Sequence, residues 1–84
     1  MIYIITPYLT DFMRVCEREG FNCPVVRGKP ENQNIMQIHH PMQLYGRKIF
    51  KIDKIFYGDQ AHLFDTETLE RIKMEIALRQ RNEG

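Results

Sequence analysis

The chain opens on an unbroken apolar run, Met-Ile-Tyr-Ile-Ile-Thr over residues 1–6. β-Branched and aromatic residues without polar alternation suit a strand buried on both faces, as in a parallel sheet. Thr6-Pro7 then predicts a helix start, a hydroxyl cap followed by proline at the first helical position. Leu9, Phe12, Met13 and Cys16 follow at i, i+3, i+4 and i+7 and predict one apolar stripe. Gly20 is placed to end that helix in the left-handed conformation, with Phe21 packing back on the last turn. Strand, tight turn and helix make the first half of a βαβ unit.

The polar-apolar pattern then loosens. Pro24, Gly28 and Pro30 interrupt residues 22–34, and Glu31-Asn32-Gln33-Asn34 reads as loop. Within that stretch, residues 23–27 are a candidate extra edge strand. Residues 35–39 read as the next main strand, ended by His40-Pro41, and residues 41–45 fit one helical turn before Gly46. The third β region falls in residues 47–59, with Ile55-Phe56-Tyr57 as its apolar centre, Gly58-Asp59 as its stop and residues 49–52 as a candidate extension or separate short strand. Asp65 is the expected cap of a final helix, with Phe64 and Leu69 as a hydrophobic staple. Leu69, Ile72 and Ile76 mark its inner face, and Glu67–Arg71 and Glu75–Arg79 fit i, i+4 ion pairs. The last three residues are expected to fray.

This order predicts an α/β fold: a small three-stranded, mainly parallel sheet with two amphipathic helices and an extra edge strand. The most apolar strand, at residues 2–5, should be central, giving spatial order 2-1-3 with right-handed crossovers. At 84 residues the whole chain, 1–84, is expected to be one domain with a small core, a size at which a homodimer or a constant partner adds stability.

Composition narrows the function classes. With 43% hydrophobic and 27% charged residues the chain is globular rather than disordered. Twelve basic against eleven acidic residues leave a net charge of +1, without the basic excess of a dedicated nucleic-acid binder. The two cysteines, Cys16 and Cys23, are too far apart in sequence for a Cys-x-x-Cys motif and have no second pair, so both are expected to be reduced thiols. Met1 leads into Ile-Tyr-Ile-Ile without a basic leader, and no apolar run reaches the ~20 residues that span a bilayer, which predicts a cytoplasmic protein with no membrane partner.

Candidate chemistry follows from topology. In open parallel sheets, ligands bind outside the carboxyl ends of the strands, where the strand order reverses. Those ends carry Thr6 and Tyr8, His39 and His40, and Asp59, Gln60 and His62, which are the candidate binding residues. Histidine and carboxylate suit a transition metal. Adjacent strand residues point to opposite faces, however, so at most one of His39 and His40 can reach a given ion, and no metal site is assigned. No catalytic residue is assigned either. Serine is absent from the chain, which excludes a serine nucleophile. Gly28-Lys29 is followed by Pro30, so no phosphate loop is present, and no Gly-x-Gly-x-x-Gly occurs. Pro7 removes an amide that a phosphate site at the first turn would use. No cofactor is therefore expected. Arg47, Lys48, Lys51 and Lys54, interleaved with Tyr45, Phe50 and Phe56, form the densest basic-aromatic stretch. It fits either a solvated strand face or a surface that tracks a phosphate backbone with stacking.

Taken together, Ile-Ile-Thr-Pro with the helix around residues 12–16, residues 36–46 and the hydrophobic strand ending at Asp59 resemble small bacteriophage-encoded α/β proteins. Those proteins look like an NTPase core without its phosphate loop. The pattern covers most of the chain except residues 21–34. The resemblance implies a viral accessory protein of the host cytoplasm that acts by binding, and it carries over no functional residue.

The expected function is accordingly a non-enzymatic binding module that modulates or inhibits a larger host or viral complex. The alternative is a nucleic-acid or nucleotide-binding module using the strand-end edge and the basic stretch at residues 47–54. A metal-dependent hydrolase built on Asp59 and the histidines is a third class, with the weakest support.

Overall fold

Parity along the first strand decides the layering. The computed structural model describes residues 1–81. Strand β1 spans Ile2–Ile5 and runs parallel to both of its neighbours, β4 (Ile35–Ile38) and β5 (Lys54–Tyr57), so the sheet order is β4-β1-β5. The parallel three-stranded sheet, with the first strand central, is the one the hydrophobic pattern predicts. Ile4 points to one face, where it joins Phe12, Val15, Cys16 and Ile35. Tyr3 and Ile5 point to the other, where they join Ile38, Leu44, Ile49, Phe64, Ile72 and Ile76. Helix α1 (Leu9–Glu19) covers the first face and helix α2 (Thr66–Arg81) the second. A strand sandwiched in this way has no solvent side, which is why β1 is apolar throughout.

Several junctions form as their residues predict. Gly20 takes φ 75° at the end of α1, and the Phe21 N–H donates to Cys16 O at 2.8 Å. Phe21 then folds back against Phe56, ring centroids 5.5 Å apart at 68°. A 3-10 turn forms at Pro41–Leu44 and another at Ala61–Leu63. Asp65 precedes α2, and its Oδ2 accepts from the Thr68 N–H at 3.4 Å. Phe64 lies in the core beneath it and Leu69 packs against the same cluster, as a staple requires. Replacing Asp65 with alanine should cost about 1 kcal/mol, read as a lower midpoint in urea unfolding with an unchanged slope. An unmoved midpoint would show that the long 3.4 Å contact contributes nothing.

Other expectations are corrected. The helix begins at Leu9, two residues later than Thr6-Pro7 suggests. Its N-cap is Tyr8, whose side chain makes no cap bond; the Thr6 hydroxyl donates to Asp11 and accepts from the Tyr8 N–H at 3.4 Å, ahead of the helix. The buried face of α1 is Asp11, Phe12, Val15 and Cys16, and Met13 lies exposed. At about 100° per residue, Val15 lies near the middle of that arc and Met13 well outside it. The expected extra strand forms at β2 (Val25–Val26) but not on the sheet edge. It pairs antiparallel with β3 (Lys29–Pro30) as a separate hairpin, turned by Arg27 and Gly28 at positive φ. Residues 49–52 do not extend the third strand: Ile49 is buried in the core while Ile52 is 83% exposed on a turn. Of the two ion pairs expected on α2, Glu75–Arg79 forms, whereas Arg71 reaches the Tyr45 hydroxyl at 3.4 Å. The expected fraying of residues 82–84 falls outside the described residues.

Candidate functional site

Because all three main strands are parallel, the residues leaving them emerge at one edge. His39 and His40 follow β4, Thr6 to Tyr8 follow β1, and Gly58 to His62 follow β5. The structure thus brings together the strand-end residues picked out from the sequence. What they do there differs from one to the next.

The centre of the edge is turned inward. Thr6 is buried, and its hydroxyl donates to Asp11 Oδ2 at 2.7 Å. The backbone N–H of Gln60 donates to the same oxygen at 3.1 Å. Asp11 is 0% exposed, and its Oδ1 has no hydrogen-bond partner among the described residues. Gly58 makes this possible. A Cβ at that position would stand 2.0 Å from Asp11 Oδ2 and 2.9 Å from Thr6 Cβ. One carboxylate therefore ties the first turn of α1 to the exit loops of β1 and β5. The sequence reading missed Asp11, since an acidic residue in a first helical turn is expected to face water and complement the helix dipole. The available signal was Gly58, a glycine at a strand end facing that turn.

The outer residues of the edge face solvent. Asp59 is exposed and takes the Arg18 guanidinium at 3.1 and 3.3 Å from its two oxygens. That bridge clips the last turn of α1 to the β5 exit, and at such exposure it adds little stability. Tyr8 is 46% exposed at the start of α1, and His62 and Leu63 are exposed in the second 3-10 turn. On the β4 side, His40 Nδ1 accepts from the Met42 N–H at 3.1 Å and caps the first 3-10 turn. Gln43 Oε1 accepts from the backbone N–H of His39 and of His40, at 2.7 and 3.0 Å. Among the described residues no three His, Cys, Asp or Glu side chains gather as metal ligands.

Two further features lie off this edge. A cleft of about 340 Å³ opens between the hairpin and β4, lined by Gly28, Pro30, Ile35, Met36, Gln37, His39 and Gln43. Most of the basic stretch forms irregular chain and turns instead of a strand face. Arg47, Lys48 and Lys51 are exposed there alongside Tyr45, Phe50 and Ile52, and Lys54 is exposed as the first residue of β5. Asp53, the acid within it, accepts the Phe50 N–H at 2.8 Å, which holds its carboxyl below the usual range.

The cysteines are both free thiols, and they lie within reach of each other. Burial, reinforced by Cys23, pushes the Cys16 thiol up to about 11 from an ordinary 9.0. Only the thiolate reacts, so near pH 8 Cys16 should be alkylated roughly a hundred times more slowly than an ordinary thiol. Its folded-state pKa is raised, so its contribution to stability is full below pH 9.0 and is lost as the pH climbs through about 11. Mass spectrometry of a timed iodoacetamide reaction checks this. Equal labelling of both cysteines in the folded protein would contradict the burial of Cys16.

No protein-family model, curated protein or solved structure matches the chain. Among the described residues no helix is long and apolar enough to cross a membrane.

Proposed function

We propose that this chain is a non-enzymatic binding module, a bacteriophage accessory protein that modulates or inhibits a larger host or viral complex in the host cytoplasm. One observation carries the reading. The polar groups at the strand-end edge are spent on the fold: Thr6, Asp11 and the Gln60 amide on each other, and Asp59 on Arg18. What the same edge offers to solvent is Tyr8, His62 and Leu63, with His39 on the β4 side. An exposed aromatic and an exposed aliphatic side chain on the edge that also carries the Arg18–Asp59 pair are the make-up of a contact surface, with Tyr8 as its anchor.

The test uses the chain as bait in a bacterial lysate, wild type beside the double variant Tyr8→Ala/Asp59→Ala. Both side chains are exposed, so the variant should melt within a few degrees of the wild type. A partner recovered by the wild type should fall at least roughly tenfold with the variant. Equal recovery by both proteins would move the contact surface away from this edge.

The exposed turns at residues 46–53 favour a second reading, a nucleic-acid-binding surface. Arg47 and Lys48 there can reach phosphates while Phe50 stacks on a base. Binding to a single-stranded oligonucleotide should then weaken steeply with salt, and Phe50→Ala should weaken it further. Binding indifferent to both would remove this reading.

A further inference from the structure

The two edges of the main sheet are finished differently. In β4 the outward-pointing backbone groups belong to Ile35, Gln37 and His39, by the alternation that sends Asn34 O and Ile38 O to β1. Three of these six groups are covered. The Ile35 N–H donates to Asn32 O at 3.2 Å. The Gln43 side chain bridges two more like the peptide of a neighbouring strand, with Nε2 donating to Gln37 O at 3.0 Å and Oε1 accepting from His39 N–H at 2.7 Å. A side-chain plug of this kind blunts an edge against pairing.

β5 has no such cover. Its bonds to β1 use alternate residues: the Lys54 N–H donates to Met1 O and the Gly58 N–H to Ile5 O, with Phe56 between them in register. The N–H and C=O of Ile55 and Tyr57 therefore point away from the sheet, and no described residue bonds to them. The Tyr57 side chain is also exposed along this edge.

We propose that β5 pairs antiparallel with β5 of a second copy of this chain, joining two three-stranded sheets into one of six strands across a two-fold axis. The strand is self-complementary in one register. Centred on Phe56, Ile55 of each protomer lies opposite Tyr57 of its partner, so both outward-facing residues on each side form hydrogen-bonded pairs. Phe56 meets its own copy in the closer, non-hydrogen-bonded pair, where aromatic contact contributes most. Lys54, the one charge within the strand, falls opposite Gly58, and Asp53 and Asp59, which meet just beyond the strand ends, are each already compensated, Asp53 by the N-terminal ammonium and Asp59 by Arg18. A register centred on Ile55 would instead hydrogen-bond that residue to its own copy and leave Tyr57 against Asp53, before the strand begins. The axis stands normal to the sheet, so α1 stays beside α1 and α2 beside α2, and the interface is isologous and closed. The two strand-end surfaces then face opposite ways, giving a bivalent binder. The dimer does not depend on what that surface binds.

Sedimentation equilibrium on the wild type and on Tyr57→Lys and Tyr57→Phe, with hydrogen exchange on the wild type, tests the proposal. The wild type should be a dimer, and Tyr57→Phe should remain one. Tyr57→Lys sets an ammonium against the apolar flank and should raise the dissociation constant at least roughly tenfold. Hydrogen exchange decides the site even if that variant folds poorly. The Ile55 and Tyr57 amides should be protected in concentrated wild type and should exchange freely on dilution, whereas those of Lys54 and Phe56 stay protected throughout. A monomer at millimolar protein overturns the proposal. So does a dimer in which the Ile55 and Tyr57 amides exchange freely, or one that well-folded Tyr57→Lys leaves intact.

Discussion

Replacing Gly58 with alanine should cost the fold about 2–4 kcal/mol, since one methyl group both overpacks a buried site and displaces a hydrogen-bonded carboxylate. A domain of this size holds roughly 4–12 kcal/mol in all, so much of the margin goes. The reason is geometric: the new Cβ would sit 2.0 Å from Asp11 Oδ2 and 2.9 Å from Thr6 Cβ. Asp11 cannot swing away cheaply, because Oδ2 holds the Thr6 hydroxyl and the Gln60 amide, and its loss would leave the buried hydroxyl and the half-buried amide without this partner. The cause is separable from a general intolerance of side chains at residue 58. In an Asp11→Ala background the oxygen that the methyl strikes is gone, and the same Gly58→Ala change should cost less by at least about 1 kcal/mol. Urea unfolding of the four proteins measures the cycle. Additive costs would mean that the strain lies in the backbone at residue 58 and not against Asp11.

That cluster also marks where the sequence stops being legible. The sheet order can be read from it because the evidence is redundant: the residues of β1 are apolar on both faces, and the breaks at Gly20, Pro41 and Gly58 fall at element ends. The position of the strand-end edge then follows from parallel pairing alone. What the pattern does not carry is which edge residues are spent internally. Thr6 reads as a helix cap since Thr-Pro is a common helix entry, yet its hydroxyl turns to Asp11 and leaves α1 uncapped by any side chain. Asp11 reads as a surface acid, and only the contact with a loop some fifty residues away shows it as a tie. Residues 49–52, Ile-Phe-Lys-Ile, are apolar enough to read as a strand. Only Ile49 enters the core that holds Leu44, while Ile52 is left on a turn. In each case a long-range contact overrides a local propensity, and one-dimensional periodicity holds no record of such contacts.

The helix face is the sharpest of these differences, and a pair of substitutions tests it. Phe12 is fully buried, packed between Ile4 of β1, Ile35 of β4 and the neighbouring Val15 and Cys16. Phe12→Ala should cost about 3–5 kcal/mol, the loss of an aromatic transfer term plus the cavity left behind. For a domain of this size that lowers the melting temperature by on the order of 15 °C or more. Phe12→Leu refills most of the space and should cost only about 1–2 kcal/mol. The contrast that matters is with Met13, the next residue along. On the stripe of Leu9, Phe12, Met13 and Cys16 read from spacing, Met13→Ala would cost about 2 kcal/mol or more. With Met13 exposed and Val15 at the centre of the face, it should instead change stability by less than about 0.5 kcal/mol. Thermal melts followed by far-UV circular dichroism separate the two. Equal losses at positions 12 and 13 would mean that α1 sits rotated on the sheet. Asp11 would then move out of reach of Thr6 and Gln60, and the buried tie at the strand-end edge would go with it.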